Sequence, residues 1–464
     1  MSERESFSRF GFILASAGSA IGLGNIWKFP YITYANDGGS FVLVYLAAVI
    51  LIGAPIMMAE ILIGRRTGKS PVGAFLELGS EVVGGRLWSA VGGLGVLGGF
   101  VIFSYYSVVA GWTVYYFGQC AYWSLNGITP HIDADLGRQF GDFVANGPLQ
   151  VTFATSFLVV TMLVVMLGVK RGIERVTRVL MPILFSLLLG MCIISVWSPG
   201  FRQAMHFLFH VGPLTSEAIL EAVGHAFFTL SLGMGALITY GSYVSRRASI
   251  RRDAAVICVL DTVIALMACV VMFSVIFSVS TAERATTFSK SAAILFTTLP
   301  RLLYSLPFGA LVAPVFYILV AFAALTSTVS LLEVVVSYFI DQRRWSRHRA
   351  VLVAGGMILA VSVPVALSLG ANDLLTSIAP FGQRNAGLFS SLDFFASNWM
   401  LPIGGLFISL FVGWFLSVDV SRSELETGGE EFRLYPVWRF LVRYVCPLAI
   451  IWIVIAVIGG KAFN

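Results

Sequence analysis

Apolar segments long enough to cross a lipid bilayer follow one another along this chain and restrict what it can fold into. A membrane-spanning helix needs about 20 mostly apolar residues, and soluble domains carry far more charge than this chain does. Of its 464 residues, 58% are hydrophobic and only 12% are charged. Eleven segments meet the requirement, at about 10–34, 39–64, 87–122, 151–169, 174–197, 214–243, 253–278, 308–340, 348–370, 388–418 and 436–459. The sequence therefore predicts an all-α polytopic membrane protein with about 11 transmembrane helices.

Basic residues between these segments predict the orientation in the membrane. Cytoplasmic loops of membrane proteins carry an excess of Lys and Arg. Four loops on one side are basic, through Arg65, Arg66 and Lys69, then Lys170, Arg171 and Arg175, then Arg246, Arg247, Arg251 and Arg252, and finally Arg343, Arg344, Arg347 and Arg349. The N-terminus lies on that side, so we expect a multi-pass protein of the cell membrane with a cytoplasmic N-terminus. The net charge of +6 follows from these loops and gives no reason to expect nucleic acid as a partner.

The first apolar segment is interrupted by Gly18, Gly22, Gly24 and Asn25. Each glycine inside a helix costs about 1 kcal/mol relative to alanine, so this run favours a break. Non-helical backbone at membrane depth is tolerated only where it faces protein, water or a ligand. The break therefore indicates either a binding site or a close helix contact through small residues, and this stretch alone does not choose between them.

The sixth segment contains a second interruption, FFTLSLGMG at 227–235. The two interrupted segments each begin a block of five. Interrupted helices in matching positions of two halves are typical of secondary transporters built from inverted repeats. We therefore predict one transporter domain, 1–464, with a 5+5 inverted repeat and broken helices 1 and 6. Repeat one covers about 10–197, repeat two covers about 214–418, and an extra helix covers about 436–459.

Ionisable side chains at membrane depth are costly unless they have a partner or a function. Asp261 favours a bound cation, because a buried carboxylate needs a cation, a proton or hydrogen-bond donors. Glu60 is predicted to accept hydrogen bonds from backbone groups that the second break releases. For His225, a satisfied core position and a gating role both stay open, and Glu333 has no assigned role. The remaining members of this group are Lys28 and Asp393.

Taken together, the segments resemble the neurotransmitter:sodium symporter family, and within it the bacterial amino-acid transporters. The resemblance runs from about Ser8 to the end of the tenth segment. It rests on GSAIGLGNIWKFPY at 18–31, Tyr105-Tyr106, FFTLSLGMG at 227–235 with Thr239-Tyr240, and AALTS at 323–327. It implies a symporter that imports neutral, hydrophobic L-amino acids with Na⁺ by alternating access.

The resemblance also implies where the amino acid binds. Its carboxylate would meet the backbone of Gly22 and Gly24 and the hydroxyl of Tyr106. Its ammonium would meet the carbonyls of Ala20, Phe228 and Thr229 and the hydroxyl of Ser231. Its side chain would lie among Ile102, Phe228, Met234 and Leu331. Gly22 occupies the position where monoamine carriers of the family have an Asp, which argues against a monoamine substrate.

Two Na⁺ sites are implied as well. The first would use Ala20, Asn25, Thr229, Asp261 and the substrate carboxylate. The second would use carbonyls of Gly18, Ile21 and Ala323 with the hydroxyls of Thr326 and Ser327. Chloride-dependent members have Asn at the position of Asp261 and Ser at that of Ala265, so the resemblance implies that chloride is not required. Whether protons are counter-transported stays open.

Two gates complete the implied mechanism. Lys28 and Asp393 would close the outer side above Phe228 and Tyr106. On the inner side, Asp341 and Tyr243 would hold Arg4.

Two other classes of protein could use the intramembrane Asp261, namely a membrane-embedded enzyme and an ion channel. The sequence contains no HExxH motif, no second Asp at similar depth on a Gly-rich motif and no repeated pore loop. These absences favour a transporter. The patterns determine neither the oligomeric state nor the exact amino acid.

Overall fold

Helices form every regular element in the described part of a computed structural model of the chain, which covers residues 6–129, 136–278, 294–427 and 431–461. Nine of these helices are long and apolar enough to cross a membrane: Gly39–Thr67, Gly85–Leu125, Gly147–Met166, Val169–Ser195, Ile250–Ile276, Gly309–Arg343, Arg347–Leu367, Leu388–Phe415 and Tyr435–Ile458. A tenth span consists of Arg9–Ala20 and Gly24–Ala35, which meet at a bend of 51°. The all-helical membrane fold is confirmed.

The sixth predicted segment, 214–243, is divided in the structure. It consists of the helices Ser216–Thr229 and Ala236–Gly241, of 14 and 6 residues, and neither alone reaches across a bilayer. Between them, Ser231, Gly233 and Gly235 have φ values of 54°, 79° and 74°, which a continuous right-handed helix excludes. The break therefore explains why ten spans, and not eleven, qualify by length and composition.

Shorter helices lie in the connections between the spans. They are Pro71–Gly79, Leu136–Ala145, Phe201–Phe209, Ile294–Thr297, Leu299–Tyr304, Asp373–Ser377, Gln383–Asn385 and Val418–Leu425.

The helices Gly85–Leu125 and Gly309–Arg343 pack along each other in the centre of the bundle. Small residues permit this approach: a Cβ atom at Gly99 would lie 3.3 Å from the carbonyl oxygen of Leu331, and one at Gly95 would lie 3.2 Å from the amide nitrogen of Gly235. Close packing through small residues is a general feature of helices in membranes. Here it brings the helix Gly85–Leu125 against the second break.

Gly64 permits another close approach, between Gly39–Thr67 and the half-helix Ala236–Gly241. A Cβ atom there would lie 1.9 Å from the carbonyl oxygen of Ile238. We expect Gly64→Ala to lower the midpoint of thermal unfolding, because overpacking costs about 1–3 kcal/mol. The matched control is Gly118→Ala, since a Cβ atom at exposed Gly118 meets nothing within 4 Å. Thermal unfolding of both variants in one detergent checks this, and equal midpoints would contradict the close approach.

Candidate functional site

The two helix breaks face each other across the bundle and are joined by hydroxyl groups. Ser231 Oγ donates to the carbonyl oxygen of Ser19 at 2.8 Å, and Ser19 Oγ donates to Ser330 Oγ at 2.7 Å. Ser231 has a positive φ of 54°, which costs a non-glycine residue on the order of 1–3 kcal/mol. Its hydrogen bond to the first break offsets part of that cost and fixes the distance between the breaks.

A small cavity of about 30 Å³ lies between the breaks. All ten residues that we predicted to contact substrate line it: Ala20, Gly22, Gly24, Ile102, Tyr106, Phe228, Thr229, Ser231, Met234 and Leu331. The structure thus brings the whole set together, while their contact with a substrate stays a prediction. Ser327, predicted as an ion ligand, also lines the cavity, as do Ser19 and Ser330, which the sequence analysis missed. Ser330 follows Ser327 by three positions, the spacing of one helix face, and that spacing was the available signal.

One part of the cavity wall is polar and crowded. The Leu23 amide donates to Tyr106 Oη at 2.9 Å. A Cβ atom at Gly22 would lie 2.5 Å from Ser327 Oγ and 2.8 Å from Tyr106 Oη, so a side chain at position 22 would displace one or both of these hydroxyls. The side chains of Ile102, Met234 and Leu331 make another part of the wall apolar. The chemistry of this lining matches a small molecule with a polar head and an apolar side chain, for which the space of about 30 Å³ must widen.

Beside the cavity, three polar side chains converge on Asp261, which is fully buried. Its Oδ1 accepts from Asn25 Nδ2 at 2.7 Å and from Thr229 Oγ1 at 3.0 Å, and its Oδ2 accepts from Tyr45 Oη at 2.9 Å. All three donors are neutral, and in the described part of the chain no basic side chain pairs with this carboxylate. A buried carboxylate without a counter-charge costs several kcal/mol. The cluster is therefore suited to receive a cation.

The amide of Asn25 connects this cluster to the first break. Its oxygen accepts from the Gly22 amide at 3.1 Å, while its NH₂ group faces the carboxylate of Asp261. An ionised carboxylate can only accept hydrogen bonds. The Asn25 amide therefore turns its NH₂ group, and not its oxygen, toward Asp261.

A second group of oxygens joins the first break to the helix Gly309–Arg343. Ser327 Oγ lies 3.3, 3.4 and 3.5 Å from the carbonyl oxygens of Gly18, Ser19 and Ile21. Thr326 Oγ1 lies 3.0 Å from the carbonyl oxygen of Ala323. A hydroxyl has one proton to donate, so it cannot satisfy three carbonyls together. The five predicted residues of the second ion site thus lie together, and hard cations prefer oxygen ligands of this kind.

On one side of the small cavity lies a larger one, of about 200 Å³, which we call the vestibule. Tyr106 and Phe228 line both spaces, so their rings stand between them. Lys28 and Asp393 line the vestibule, but within the described residues they form no ion pair. Instead, Lys28 Nζ lies 4.4 Å from the centroid of the Phe228 ring. The predicted outer-gate residues therefore surround one cavity without closing it.

Away from the vestibule, an ion pair that is buried at Glu333 joins the helices Gly309–Arg343 and Arg347–Leu367. Arg347 donates from Nη1 and Nη2 to the two carboxylate oxygens of Glu333, at 2.8 and 2.9 Å. Tyr243 Oη donates to Glu333 Oε1 at 2.7 Å. Glu333 had no assigned role from sequence, and Arg347 counted only as a loop charge. Because the pair is bidentate and buried at Glu333, it holds three segments together strongly.

The predicted inner gate is placed in part. Asp341 Oδ2 accepts from the Ser70 amide at 2.5 Å, and the carbonyl of Tyr243 accepts from the Phe7 amide at 2.9 Å. Arg4 lies outside the described residues, so its pairing with Asp341 and Tyr243 stays a prediction.

Two intramembrane residues can now be compared with expectation. Glu60 Oε1 accepts from the Gly233 amide at 2.7 Å, which confirms that it braces the second break.

His225 is buried and its ring stacks on Phe29, with centroids 5.4 Å apart. Neither ring nitrogen has a hydrogen-bond partner in the described part of the structure. The interpretation of His225 as a satisfied core residue is therefore wrong, and its gating role stays a prediction.

Comparisons with known proteins bear on the whole chain. A family profile described as the sodium:neurotransmitter symporter family matches residues 4–128 and 136–461. A sodium-dependent transporter of Bacillus subtilis is 35% identical over 459 residues, which are 98% of each chain. One from Methanocaldococcus jannaschii is 31% identical over 96% of this chain and 89% of its own. The crystal structure of MhsT in complex with L-phenylalanine superposes with a TM-score of 0.86 at 38% identity, covering 98% of this chain and 99% of that one.

The brace at the second break gives a direct test. Glu60→Ala leaves the buried Gly233 amide without its acceptor, at a cost of about 1–3 kcal/mol, so we expect a lower thermal midpoint. Glu60→Gln keeps a side-chain oxygen in place and should retain most of the stability. Thermal unfolding of both variants measures the difference. If the two variants lost equal stability, the hydrogen bond to the Gly233 amide would not be what Glu60 contributes to stability.

Proposed function

The chain belongs to the sodium:neurotransmitter symporter family, and we propose that it imports neutral, hydrophobic L-amino acids together with Na⁺. The members of this family are transporters, so the chain is a sodium-coupled membrane transporter and not an enzyme. One observation carries the more specific proposal: Thr229 lines the small cavity and also donates to buried Asp261. A molecule in the cavity and a cation at Asp261 would therefore both contact Thr229.

The substrate class follows from the cavity. An L-amino acid would place its carboxylate at Gly22, Gly24 and Tyr106, where amide donors and a hydroxyl meet. Backbone donors at a helix end attract anions. Because Gly22 has no side chain, its backbone remains accessible to the substrate carboxylate between the hydroxyls of Ser327 and Tyr106. The apolar wall excludes charged substrate side chains, and unbranched Met234 adapts to side chains of several sizes. The L-phenylalanine in the related crystal structure is consistent with this class.

The first Na⁺ would bind among Ala20, Asn25, Thr229 and Asp261. To coordinate it, the Asn25 amide must turn its oxygen toward Asp261, because its NH₂ group faces the carboxylate in this structure. That turn withdraws the acceptor of the Gly22 amide and frees this N–H for the substrate carboxylate. Ion binding and substrate binding then favour each other, which is thermodynamic coupling.

The second Na⁺ would bind at Gly18, Ile21, Ala323, Thr326 and Ser327. Its positive charge would stabilise the carbonyl oxygens that converge there. It would also join the first break to the helix Gly309–Arg343. Its release on the inner side would separate these two elements.

Alternating access would follow from the two sides of the bundle. The vestibule opens outward and would close when Lys28 leaves the Phe228 ring and pairs with Asp393. The inner side would open when the contacts around Glu333, Asp341 and Tyr243 separate. The basic loops support a cytoplasmic N-terminus in the cell membrane.

Uptake into proteoliposomes with a panel of labelled amino acids tests the proposed function. With a Na⁺ gradient we expect uptake of leucine, phenylalanine or tryptophan, and much less without Na⁺. Acidic or basic amino acids that competed better than leucine would contradict the assignment of the cavity.

The second ion site can be tested by removing two hydroxyls. We expect the Thr326→Ala, Ser327→Ala double variant to lose Na⁺-stimulated uptake, because both hydroxyls would be ligands. The matched control removes exposed Thr152 and Ser156, whose hydroxyls bond only to carbonyls of their own helix. Full Na⁺-dependent uptake by the first double variant would rule out this ion site.

Chloride independence rests on Asp261. An ionised carboxylate beside the cation supplies the anion that a bound chloride would otherwise supply. We expect uptake by the wild-type protein to be unchanged when gluconate replaces chloride. The Asp261→Asn, Ala265→Ser variant should become sensitive to that replacement. A large loss of wild-type uptake in gluconate would refute the assignment.

A further inference from the structure

A third cavity, of about 440 Å³, lies apart from the substrate cavity and beyond the vestibule. Its lining comes from the segment 381–399 and from 457–461, where the helix Tyr435–Ile458 ends: Phe381, Arg384, Asn385, Phe394, Phe395, Trp399, Val457, Gly460 and Lys461. Its volume falls within the range of about 300–1,000 Å³ that is common for small-molecule sites. None of these residues is required by the transport mechanism proposed above.

Aromatic rings form much of this cavity. The Phe381 ring stacks on Phe395, with centroids 5.8 Å apart and an angle of 11°, and contacts Phe394 at 5.3 Å. Trp399 adds a fourth ring. Such a wall binds the apolar body of a ligand by area and by ring stacking.

The lining of this cavity carries basic side chains and no acidic ones. Arg384 and Lys461 line the cavity, and neither an Asp nor a Glu does. Arg384 makes no hydrogen bond or ion pair with any residue in the described ranges. Lys461 pairs with Glu217 at 3.0 Å, but their side chains are 46% and 69% exposed, and exposed ion pairs of this kind contribute little. The cavity therefore offers two cations to an anionic group.

The position of Arg384 is determined by a tight turn. Gly382 has φ 91° and ψ 164°, a conformation that is practically restricted to glycine. The following residues form the short helix Gln383–Asn385, and Asn385 Nδ2 donates to the Phe381 carbonyl at 3.4 Å. Arg384 and Asn385 also line the vestibule, so the same turn forms the wall between the two spaces.

We propose that this cavity is a second ligand site, which binds an organic monoanion with an aromatic or aliphatic body. The anionic group would lie between Arg384 and Lys461, and the body would lie against the four aromatic rings. A zwitterionic amino acid fits less well, because no acidic side chain lines the cavity for its ammonium group. Two sources share the required chemistry, namely a free aryl or acyl carboxylate and the headgroup of an acidic phospholipid.

Binding is measured with 4-(4-fluorophenyl)butyrate as the probe, by ¹⁹F NMR, on the full-length protein in nanodiscs of phosphatidylcholine alone. We expect saturable binding to the wild-type protein. Arg384→Gln and Lys461→Gln should each weaken it about tenfold, since hydrogen bonds to charged groups are among the stronger ones. The matched control is Arg86→Gln, an exposed arginine elsewhere, which should bind as the wild-type protein does. The neutral amide of the probe should not bind.

Nanodiscs with phosphatidylglycerol distinguish the two sources. Loss of probe binding there identifies the lipid headgroup as the occupant of the site, and unchanged binding identifies a free carboxylate; either result supports the site. Equal binding by the wild-type protein and both variants would overturn the proposal. Displacement of the probe by excess L-leucine would also overturn it, because it would place the probe in the substrate cavity. Neither result depends on Na⁺-driven uptake, so failure here is distinct from failure of the proposed function.

Discussion

The constraint on which the rest of the structure depends is the hydrogen bonding of the backbone at two helix breaks inside a membrane. An unsatisfied amide or carbonyl in that environment costs several kcal/mol, so each group at the breaks needs a partner. Glu60 provides one for Gly233, and the hydroxyls of Ser231 and Tyr106 provide others at the first break. The carbonyls of Gly18, Ser19 and Ile21 converge on the Ser327 hydroxyl, which can donate to one of them, and only that of Ser19 also accepts from Ser231 among the described residues. Some backbone groups at the breaks thus have hydrogen-bond partners, and others lack a full set. We place the ions and the substrate at the groups that lack one.

The two sides of the bundle differ in a way that follows from charge. Toward the vestibule, Lys28 rests on an aromatic ring and Asp393 lies apart from it, so the side chains that would close this side are not paired. On the other side, Glu333 is held by Arg347 and Tyr243. Withdrawing one partner of a buried ion pair is costly, because it leaves the other charge buried without a counter-charge. In this structure, therefore, the two side chains that were predicted to close one side do not pair with each other, while a bidentate ion pair links the segments on the other side.

Much of this was predictable from sequence, because glycines, hydroxyls and rare intramembrane charges mark breaks and sites. The two breaks and the brace from Glu60 follow from such signals, whereas the residues around the small cavity were implied by the family resemblance. Partners distant in sequence were harder to predict. Nothing in the pattern links Tyr243 to Glu333. Lys28 was expected to pair with Asp393 above Phe228, and the structure places it over the Phe228 ring without that pair. His225 could not be assigned, since only the structure reveals a buried ring with no hydrogen-bond partner in its described surroundings. The third cavity has no motif, because two distant segments form it by packing alone.

The central claim is that Na⁺ and the amino acid stabilise each other's binding through Asn25, Thr229 and Asp261. Equilibrium binding of labelled L-leucine to purified protein at a series of Na⁺ concentrations, together with Na⁺ binding with and without leucine, tests it most directly. Coupling between sites is typically about 5–150-fold, and we predict the same factor in both directions, with a marked reduction in Thr229→Val. Leucine affinity that did not change with Na⁺ concentration would contradict the account.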